Sequence, residues 1–338
     1  MYRILFLPLY DESWASSKYR VYKHIPYLQE QGLVCTVLRP PEKRTIPRLV
    51  YYVRLFSGCL THQVVFIQKK IFRPPLFRLI RLLARKLIFD FDDAIYCYEE
   101  DERHIQFILS QVDRVLVADE HLARYARKFN DQVTVLPTPV DKRDYRYHVP
   151  ANGEAVKIAW IGRPWNHRYL ALLDGVFERL KAKGVKVTLY VVSGEPFKFP
   201  RSDFPVINVP WSEEAEEEVL RQVDIGLIPL IDDEWSRGKC AYKALIFMSH
   251  GIPVIASPVG VKAELVREGV NGLFASREEE WVEKITLLAT DVELRRKIGE
   301  AGYRTFSSAY TFEVVSGKLA QMLRFEARKA KSKSLDVG

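Results

Sequence analysis

The 338-residue sequence predicts an α/β fold made of two doubly wound units, each a parallel sheet covered by helices. Short runs of apolar and β-branched residues alternate with amphipathic stretches, which is typical of parallel strands joined by helices. The alternation stops at a polar stretch with three prolines, residues 137–153, and then starts again. At about 150 residues per domain, the chain is long enough for two.

The first unit opens with a strand, a helix that ends at Gly32, and a second strand. We predict its strands at 2–8, 33–38, 63–68, 86–91, 114–118 and 132–136, and its helices at 18–31, 104–112 and 120–129. Ligands of open parallel sheets bind beyond the carboxyl ends of the strands. We therefore expect functional side chains in the segments that follow these strands.

The second unit repeats the pattern. We predict its strands at 156–161, 186–192, 206–209, 225–229 and 253–256, and its helices at 169–183, 213–222, 240–250 and beyond Glu278. The predicted domains are residues 1–145, residues 146–310, and a segment at 311–338 whose helix returns to the first domain before a basic tail. Two such units facing each other would hold their ligand in a deep cleft between them.

Composition narrows the class of protein. Apolar residues make up 48% and charged residues 28%, as in ordinary soluble proteins, and no apolar run approaches the roughly 18 residues of a membrane span. The four cysteines lack zinc-site or disulfide spacing. We therefore expect a cytoplasmic protein with no bound metal.

The charge is distributed unevenly. Of the net charge of +8, almost all lies in residues 1–150, which have 24 basic and 17 acidic residues. This asymmetry indicates that one half faces an anionic partner. A nucleic-acid binder is the least favoured reading, because no DNA or RNA module is recognisable.

The most informative stretch is 224–274. A buried strand leads through a polar loop to Gly238 and Lys239, which we predict to open a helix whose N-terminus points into the cleft. Free N–H groups there favour a phosphate, and Lys239 and Lys243 would add positive charge. The alternative is an ordinary strand–helix crossover with solvated lysines, and the pattern alone leaves both readings open.

Four motifs in this stretch, DIGLIPL, GIPVIAS, SPVG and EGVNGLF, resemble the donor-binding half of family 4 glycosyltransferases. The resemblance extends more weakly over nearly the whole chain. It implies a GT-B fold of two facing Rossmann-like domains, the first for the acceptor and the second for a nucleotide-sugar. It also implies retaining, metal-independent transfer without a cofactor besides the donor itself.

The resemblance assigns Arg163 and Arg168 to the donor diphosphate, where the family has an arginine and a lysine five residues apart. Fixed cations suit a leaving diphosphate, whose negative charge grows in the transition state. The family's Glu-x7-Glu pair, however, falls here on Gly238 and Ile246. The remaining expected donor contacts are Gly162, Gly238, Lys239, Tyr242, Lys243, Gly260 and Glu264.

Candidate residues of the first unit follow its first and fourth strands. Asp92 falls where the family often has a histidine that faces the sugar, so it is expected to orient the acceptor or to stabilise positive charge at the transferred sugar. Asp93 beside it is expected on the acceptor side, with Ser17, Lys18 and Arg20 after the first strand. The alternative is that Asp92 or Asp93 only caps a helical turn.

Residues 68–88 carry seven basic residues and no acidic one, with leucines at helical spacing. This predicts an amphipathic helix that meets an anionic membrane surface, or a core-packed helix with outward arginines. The function expected from the whole sequence is transfer of a sugar from a nucleotide-sugar to a glycan or lipid-linked acceptor in cell-surface polysaccharide synthesis. The rival, motivated by Gly238 and Ile246, is a glycosyltransferase-like binding or scaffold protein.

Overall fold

The computed structural model describes residues 1–39, 48–97, 99–143 and 155–335. Its strands are β1 (Tyr2–Leu7), β2 (Leu33–Val37), β3 (Val64–Gln68), β4 (Leu87–Phe91), β5 (Arg114–Val117), β6 (Val133–Val135), β7 (Val156–Ile161), β8 (Val187–Ser193), β9 (Val206–Pro210), β10 (Ile225–Ile228), β11 (Val254–Ala256) and β12 (Leu273–Phe274). Each predicted strand coincides with one of these to within about two residues at either end.

The α-helices are α1 (Ala15–Arg20), α2 (Ile25–Glu30), α3 (Arg48–Thr61), α4 (Pro74–Leu83), α5 (Glu99–Gln111), α6 (Glu120–Ala126), α7 (His167–Leu170), α8 (Asp174–Ala182), α9 (Glu213–Leu220), α10 (Glu234–Arg237), α11 (Tyr242–Ser249), α12 (Lys262–Leu265), α13 (Glu278–Thr290), α14 (Val292–Ala309) and α15 (Phe312–Leu335). Short 3₁₀ turns occur at 22–24, 95–97, 164–166 and 171–173. Side-chain caps fix some helix starts; for example, Ser212 accepts a hydrogen bond from the backbone N–H of Ala215 at 3.0 Å.

The chain divides into two compact units. Unit 1 comprises Met1–Pro139, Gly238–Cys240 and Thr311–Gly338, and unit 2 comprises Val140–Arg237 and Ala241–Tyr310. The sequence placed the main boundary at 145/146, and the predicted linker at 137–153 is described only as far as Arg143; residues 144–153 of it lie outside the described residues.

Unit 1 is a parallel sheet in the order β2-β1-β3-β4-β5-β6. Its central strands are apolar on both faces, as in β3, where every residue is buried, because helices cover both sides of a parallel sheet. The C-terminal helix α15 belongs to this unit: Val315, Leu319 and Leu323 pack in one core with Ile4 and Phe6 of β1. Helix α15 therefore completes the sheet's covering layer.

Unit 2 is a second parallel sheet, in the order β12-β11-β10-β7-β8-β9. Apolar clusters line its two faces, one containing Trp160 and Phe177 and the other Phe247 and Phe306. The predicted class, two doubly wound α/β units, is confirmed.

Several predicted helices differ from the structure in detail, and the one expected at 169–183 is divided into α7, a 3₁₀ turn and α8. The helix expected at 18–31 is divided into α1, a 3₁₀ turn and α2, since Pro26 has no N–H to donate within a continuous helix. The helix expected to open at Gly238 and Lys239 begins at Tyr242 instead. Those two residues form the turn between α10 and α11, and α10 is held by Asp233, whose side chain accepts from the Ser236 N–H at 2.6 Å.

Candidate active site

Polar side chains of unit 1 collect at the carboxyl ends of β3 and β4. The two strands pair in parallel with Gln68 opposite Asp90. Asp90 and Asp92 are both buried, with exposed fractions of 0% and 4%. Asp90 and Asp92 are two residues apart, a spacing at which strand side chains share one face, yet they bind different cations: Arg20 binds Asp90 and Lys69 binds Asp92.

Lys69 holds the two acidic residues that the sequence singled out. Its Nζ lies 2.6 Å from Asp92 Oδ1 and 2.5 Å from Asp93 Oδ2. Burial alone would raise the pKa of Asp92, but the positive charges of Lys69 and Arg20 have the larger effect. They lower the pKa of Asp92 below its usual value. Asp92 is therefore a fixed anion at neutral pH.

The backbone at Lys69 is unusual. Its φ of +54° lies in the left-handed region, and among the described residues it is the single case outside glycine. Such a conformation costs on the order of 1 kcal/mol and persists where the surroundings impose it. Here it directs the Lys69 ammonium toward both carboxylates at the end of β3.

Arg20 and Ser17 hold the strand ends together from the interior. The Arg20 guanidinium binds both carboxylate oxygens of Asp90 and donates to the Leu136 carbonyl at 2.7 Å. Ser17 donates to Gln68 Oε1 at 2.8 Å. Because Asp90 and the Leu136 carbonyl already bind its guanidinium, the contacts of Arg20 support a structural role and not the predicted direct contact with an acceptor. Lys18, which was also predicted on the acceptor side, lies in α1 and is only half-buried.

The site in unit 2 begins where β7 ends. Gly162 follows this strand, and a Cβ on it would lie 2.2 Å from the Trp160 ring and 2.7 Å from Lys243 Nζ. Only glycine allows the ring and the ammonium to approach the backbone this closely. The Lys243 ammonium stands 4.8 Å from the centre of the Trp160 ring, in cation–π range. The structure thus brings together two predicted donor residues, Gly162 and Lys243.

Arg163 is exposed and flanked by two exposed tryptophans. Its guanidinium carbon is 5.8 Å from the ring centres of both Trp165 and Trp211, which are 67% and 46% exposed. Within the described part of the chain, Arg163 forms no ion pair with a carboxylate. An exposed guanidinium between two rings is suited to an anion with a planar group attached.

Arg168 is oriented by its neighbours. Its Nη2 donates to Tyr169 Oη at 2.8 Å and lies 3.9 Å from Asp233 Oδ2. Tyr169 Oη in turn shares a 3.0 Å hydrogen bond with Ser236 Oγ. This chain of contacts links α7 to α10, so the position of Arg168 depends on the loop after β10.

Gly260 and its surroundings form the turn after β11. Gly260 has a φ of +59°, and a Cβ there would lie 2.1 Å from the Arg237 carbonyl oxygen. Lys262 is 2% exposed, with its Nζ 3.4 Å from the Ser236 carbonyl oxygen. Glu264 is exposed on the short helix α12. A tight turn therefore joins the β11 end to α10, and only glycine fits at its closest point.

The predicted donor residues do not all fall in one unit. Gly238 and Lys239 group with unit 1, whereas Tyr242 lies in unit 2 as the first residue of α11. Ile246, where the family's second glutamate would fall, is 5% exposed and packs in the apolar core of unit 2. The ribose contact implied by the resemblance has no carboxylate at this position.

The amphipathic helix predicted in 68–88 is present as α4, but it is shorter than that stretch. The stretch contains the last residue of β3, the helix α4 and the first two residues of β4. Three of its seven cations are paired with carboxylates: Lys69 as above, and Arg81 and Lys86 with Asp113 at 3.3 and 2.9 Å. The spacing of apolar residues continues to Leu87, which lies in β4 and not in the helix.

Sequence reasoning missed four residues near these sites: Lys69, Trp165, Trp211 and Lys262. The two tryptophans could have been predicted as site residues, because each lies a few residues after a predicted strand. Lys69 and Lys262 looked like ordinary surface lysines. In the described ranges, no three His, Cys, Asp or Glu side chains are grouped so that they could hold a metal ion.

Residues 155–291 match the family model described as "Glycosyl transferases group 1". This stretch covers β7 to the end of α13 and so includes the Gly162, Arg163 and Lys243 cluster. No curated protein is detectably similar in sequence to the chain.

Several solved structures share the fold over almost the full length. Anabaena Alr3699/HepE in complex with UDP and glucose is 13% identical, with a TM-score of 0.68 over 96% of this chain and 100% of that one. Sucrose-phosphate synthase from Thermosynechococcus elongatus is 16% identical, with a TM-score of 0.67 over 96% and 98%. A glycosyltransferase from Rickettsia africae is 13% identical, with a TM-score of 0.66 over 96% of this chain and 98% of that one. The chain therefore has the GT-B fold, and its segment 155–291 is similar to the glycosyl transferases group 1 domain.

Proposed function

We propose that the protein is a retaining, metal-independent glycosyltransferase of family 4 type, which moves a sugar from a nucleotide-sugar donor to a glycan or lipid-linked acceptor. The observation that carries the proposal is the coincidence of the matched segment 155–291 with the cations at the end of β7. We further propose cell-surface polysaccharide synthesis as its setting and the cytoplasmic face of a membrane as its location. No helix of the described residues is long and apolar enough to cross a membrane.

Arg163 would act on the donor diphosphate. A leaving nucleoside diphosphate gains negative charge as the glycosidic bond breaks, and a guanidinium without a carboxylate partner is available to meet it. Arg168 would add a second cation, held in place by Tyr169. The neighbour Alr3699/HepE, solved with UDP, makes a uridine nucleotide the first donor to test.

Asp92 would serve the transferred sugar. Its carboxylate is ionised and fixed by Lys69, so it can oppose the positive charge that develops at the anomeric carbon. A fixed carboxylate needs no reorganisation during the reaction, which is the condition for effective electrostatic stabilisation. Lys69 would position this group without touching the sugar.

Slow hydrolysis across a panel of nucleotide-sugars tests the proposal without knowledge of the acceptor. We expect one donor to be hydrolysed with release of the nucleoside diphosphate, and the released sugar to keep its anomeric configuration. Chelation should leave the rate unchanged. Hydrolysis of no donor, together with no binding of any nucleotide, would overturn the assignment of unit 2 as a donor domain.

A glycosyltransferase-like binding protein is the second candidate, favoured by Gly238 and the buried Ile246. Without the carboxylate pair, the ribose would lose two hydrogen-bonding anchors, each worth about 1 kcal/mol or more. Tight nucleotide binding without hydrolysis or transfer in the same panel would favour this candidate over the enzyme.

A further inference from the structure

Helix α3 of unit 1 is apolar on two opposite faces. Tyr51 and Leu55, four residues apart, are buried with exposed fractions of 3% and 0%. Leu49, Val53 and Leu60 follow helical spacing on the other side and are 74%, 59% and 54% exposed. A helix that only covers a sheet needs one apolar stripe, so the second stripe of α3 is not needed for packing among the described residues.

The neighbouring helix α4 adds to this surface. Phe77 and Ile80 point inward and are fully buried, whereas Leu79 and Leu82 are 39% and 81% exposed. Helices α3 and α4 pack against each other. We call the surface formed by the exposed apolar residues Leu49, Val53 and Leu60 of α3 and Leu79 and Leu82 of α4 the α3–α4 face.

The α3–α4 face is set in a segment with one sign of charge. Residues 48–88 contain nine basic residues and no acidic one. Within the described part of the chain, five of these cations form no ion pair with a carboxylate: Arg54, Lys70, Arg73, Arg78 and Arg85. Exposed leucines among unpaired cations are complementary to a surface that is apolar beneath and anionic on top.

A pocket of about 510 Å³ opens between α3 and the start of α4. It is lined mostly by apolar groups, including Phe72 and Leu76, with Lys70 and Arg73 as its charged members. Lys70 Nζ donates to Tyr51 Oη at 2.7 Å, and burial lowers the pKa of Lys70 to about 8. The ammonium has a hydroxyl and aromatic rings around it but no carboxylate, so an arriving phosphate would stabilise its charged form.

We propose that the α3–α4 face docks on a bilayer of anionic phospholipid, with its leucines among the acyl chains and a headgroup phosphate between Lys70 and Arg73. Charge selects this occupant: another protein would need an acidic surface, whereas every anionic phospholipid supplies a phosphate above an apolar layer. The inference deepens the proposed function by naming the surface that would bring unit 1 to a lipid-linked acceptor. The docking itself requires neither donor nor turnover.

Vesicle co-sedimentation of the full-length protein without nucleotide tests the docking. Vesicles of phosphatidylcholine alone are compared with vesicles of phosphatidylcholine and phosphatidylglycerol in equal amounts. We expect binding to the anionic vesicles only, and weaker binding as salt is added, because the Debye length shortens. Inorganic phosphate should not compete at concentrations matched in ionic strength to the salt series.

Two variants test the two halves of the surface. Lys70→Gln with Arg73→Gln should weaken binding about 25-fold, at roughly fivefold for each cation. Leu49→Ser with Leu82→Ser should weaken it about tenfold or more, because both side chains are exposed and contribute little to the core. Matched controls are Arg124→Gln, an exposed cation on α6, and Val270→Ser, 48% exposed in unit 2.

The outcomes separate the docking from its competitors. Equal binding to neutral vesicles, absence of binding, competition by inorganic phosphate, or unchanged binding of a folded Lys70/Arg73 variant would each overturn the proposal. A lipid-free dimer that the Leu49/Leu82 variant dissociates would assign the face to a second copy instead. Thermal unfolding confirms that the variants are folded, and nucleotide binding measured without vesicles keeps the test of the donor site independent.

Discussion

Lys69→Met is expected to destabilise the protein at neutral pH and to do so less in acid. The substitution keeps an unbranched side chain of similar length but removes the cation between Asp92 and Asp93. The side chains of Lys69 and Asp92 are 7% and 6% exposed, so water cannot replace the lost partner of Asp92. Asp93, with a side chain 30% exposed, can be hydrated in part.

The magnitude follows from these burial values. Removing one partner of a buried ion pair costs about 3–5 kcal/mol, because it leaves a buried charge uncompensated. Since Asp93 regains hydration, we place the loss for Lys69→Met at the lower end, about 3 kcal/mol of unfolding free energy at neutral pH. An exposed pair would contribute less than about 1 kcal/mol.

The pH dependence has a definite sign. In the wild type, burial raises the pKa of Asp92 but Lys69 and Arg20 outweigh it, so the net pKa is lowered. Asp92 therefore contributes stability above its unfolded pKa, and that contribution is lost as the pH falls through the folded value. Without Lys69, burial should raise the pKa of Asp92 above its unfolded value. The variant would then bind a proton on folding, and the difference in unfolding free energy between variant and wild type should become smaller toward about pH 5.

Denaturant unfolding at several pH values measures this difference. The double variant Lys69→Met with Asp92→Asn should recover part of the loss, because the amide removes the unpaired charge. Lys198→Met is the matched control: its side chain is 80% exposed beside Asp203, so its stability should change by less than about 0.5 kcal/mol. A loss below about 1 kcal/mol for Lys69→Met, or a loss that does not vary with pH, would refute the reasoning.

Three further changes test other parts of the structure. Arg163→Ala should lower the rate of donor hydrolysis about 100-fold and donor affinity much less. Arg168→Ala should have a smaller effect, because Arg168 already donates to Tyr169 and lies near the Asp233 carboxylate. Wild-type rates in both variants would exclude the two arginines from the diphosphate site. Asp92→Asn should lose most hydrolysis while the protein stays folded, and restoration of wild-type activity only by added Mn²⁺ or Mg²⁺ after chelation would assign the carboxylate to a metal. Gly260→Ala should lower the free energy of unfolding by at least about 2 kcal/mol, since φ is +59° and the added Cβ would clash with the Arg237 carbonyl. Gly317→Ala, in open space on α15, should raise it by about 0.5–1 kcal/mol. Equal melting temperatures of the two variants would contradict the geometry.

The strands could be predicted because their signal is local. In β3 and β4 the buried residues are contiguous in the sequence, and a run of apolar residues between polar segments is sufficient to predict such a strand. Helix ends were harder. The start of α11 at Tyr242 depends on how the preceding turn packs, and a glycine followed by a lysine does not reveal that packing.

The candidate site was predictable where a motif marks a strand end. Gly162 and Arg163 follow β7 directly, so their location at the sheet edge was fixed once the strand was recognised. The pairing of Gly162 with Lys243 was not predictable in the same way. It depends on the Trp160 ring, which leaves space for the ammonium only when residue 162 has no Cβ.

By itself, the sequence determined the two parallel sheets, the position of the strand ends and the uneven distribution of charge, because each depends on residues close together in the chain. The tertiary structure alone decided which charged side chains are buried in ion pairs inside the protein. Arg20 meets Asp90 across 70 positions, and Lys69 meets Asp92 across a strand pair. The sequence indicated Arg20 as an acceptor-side residue and Lys69 as one cation of a basic stretch, and it did not reveal their buried carboxylate partners. An ion pair across such separations forms only because the sheet brings its strand ends together in a buried place, where the cost of desolvation must be offset by a partner.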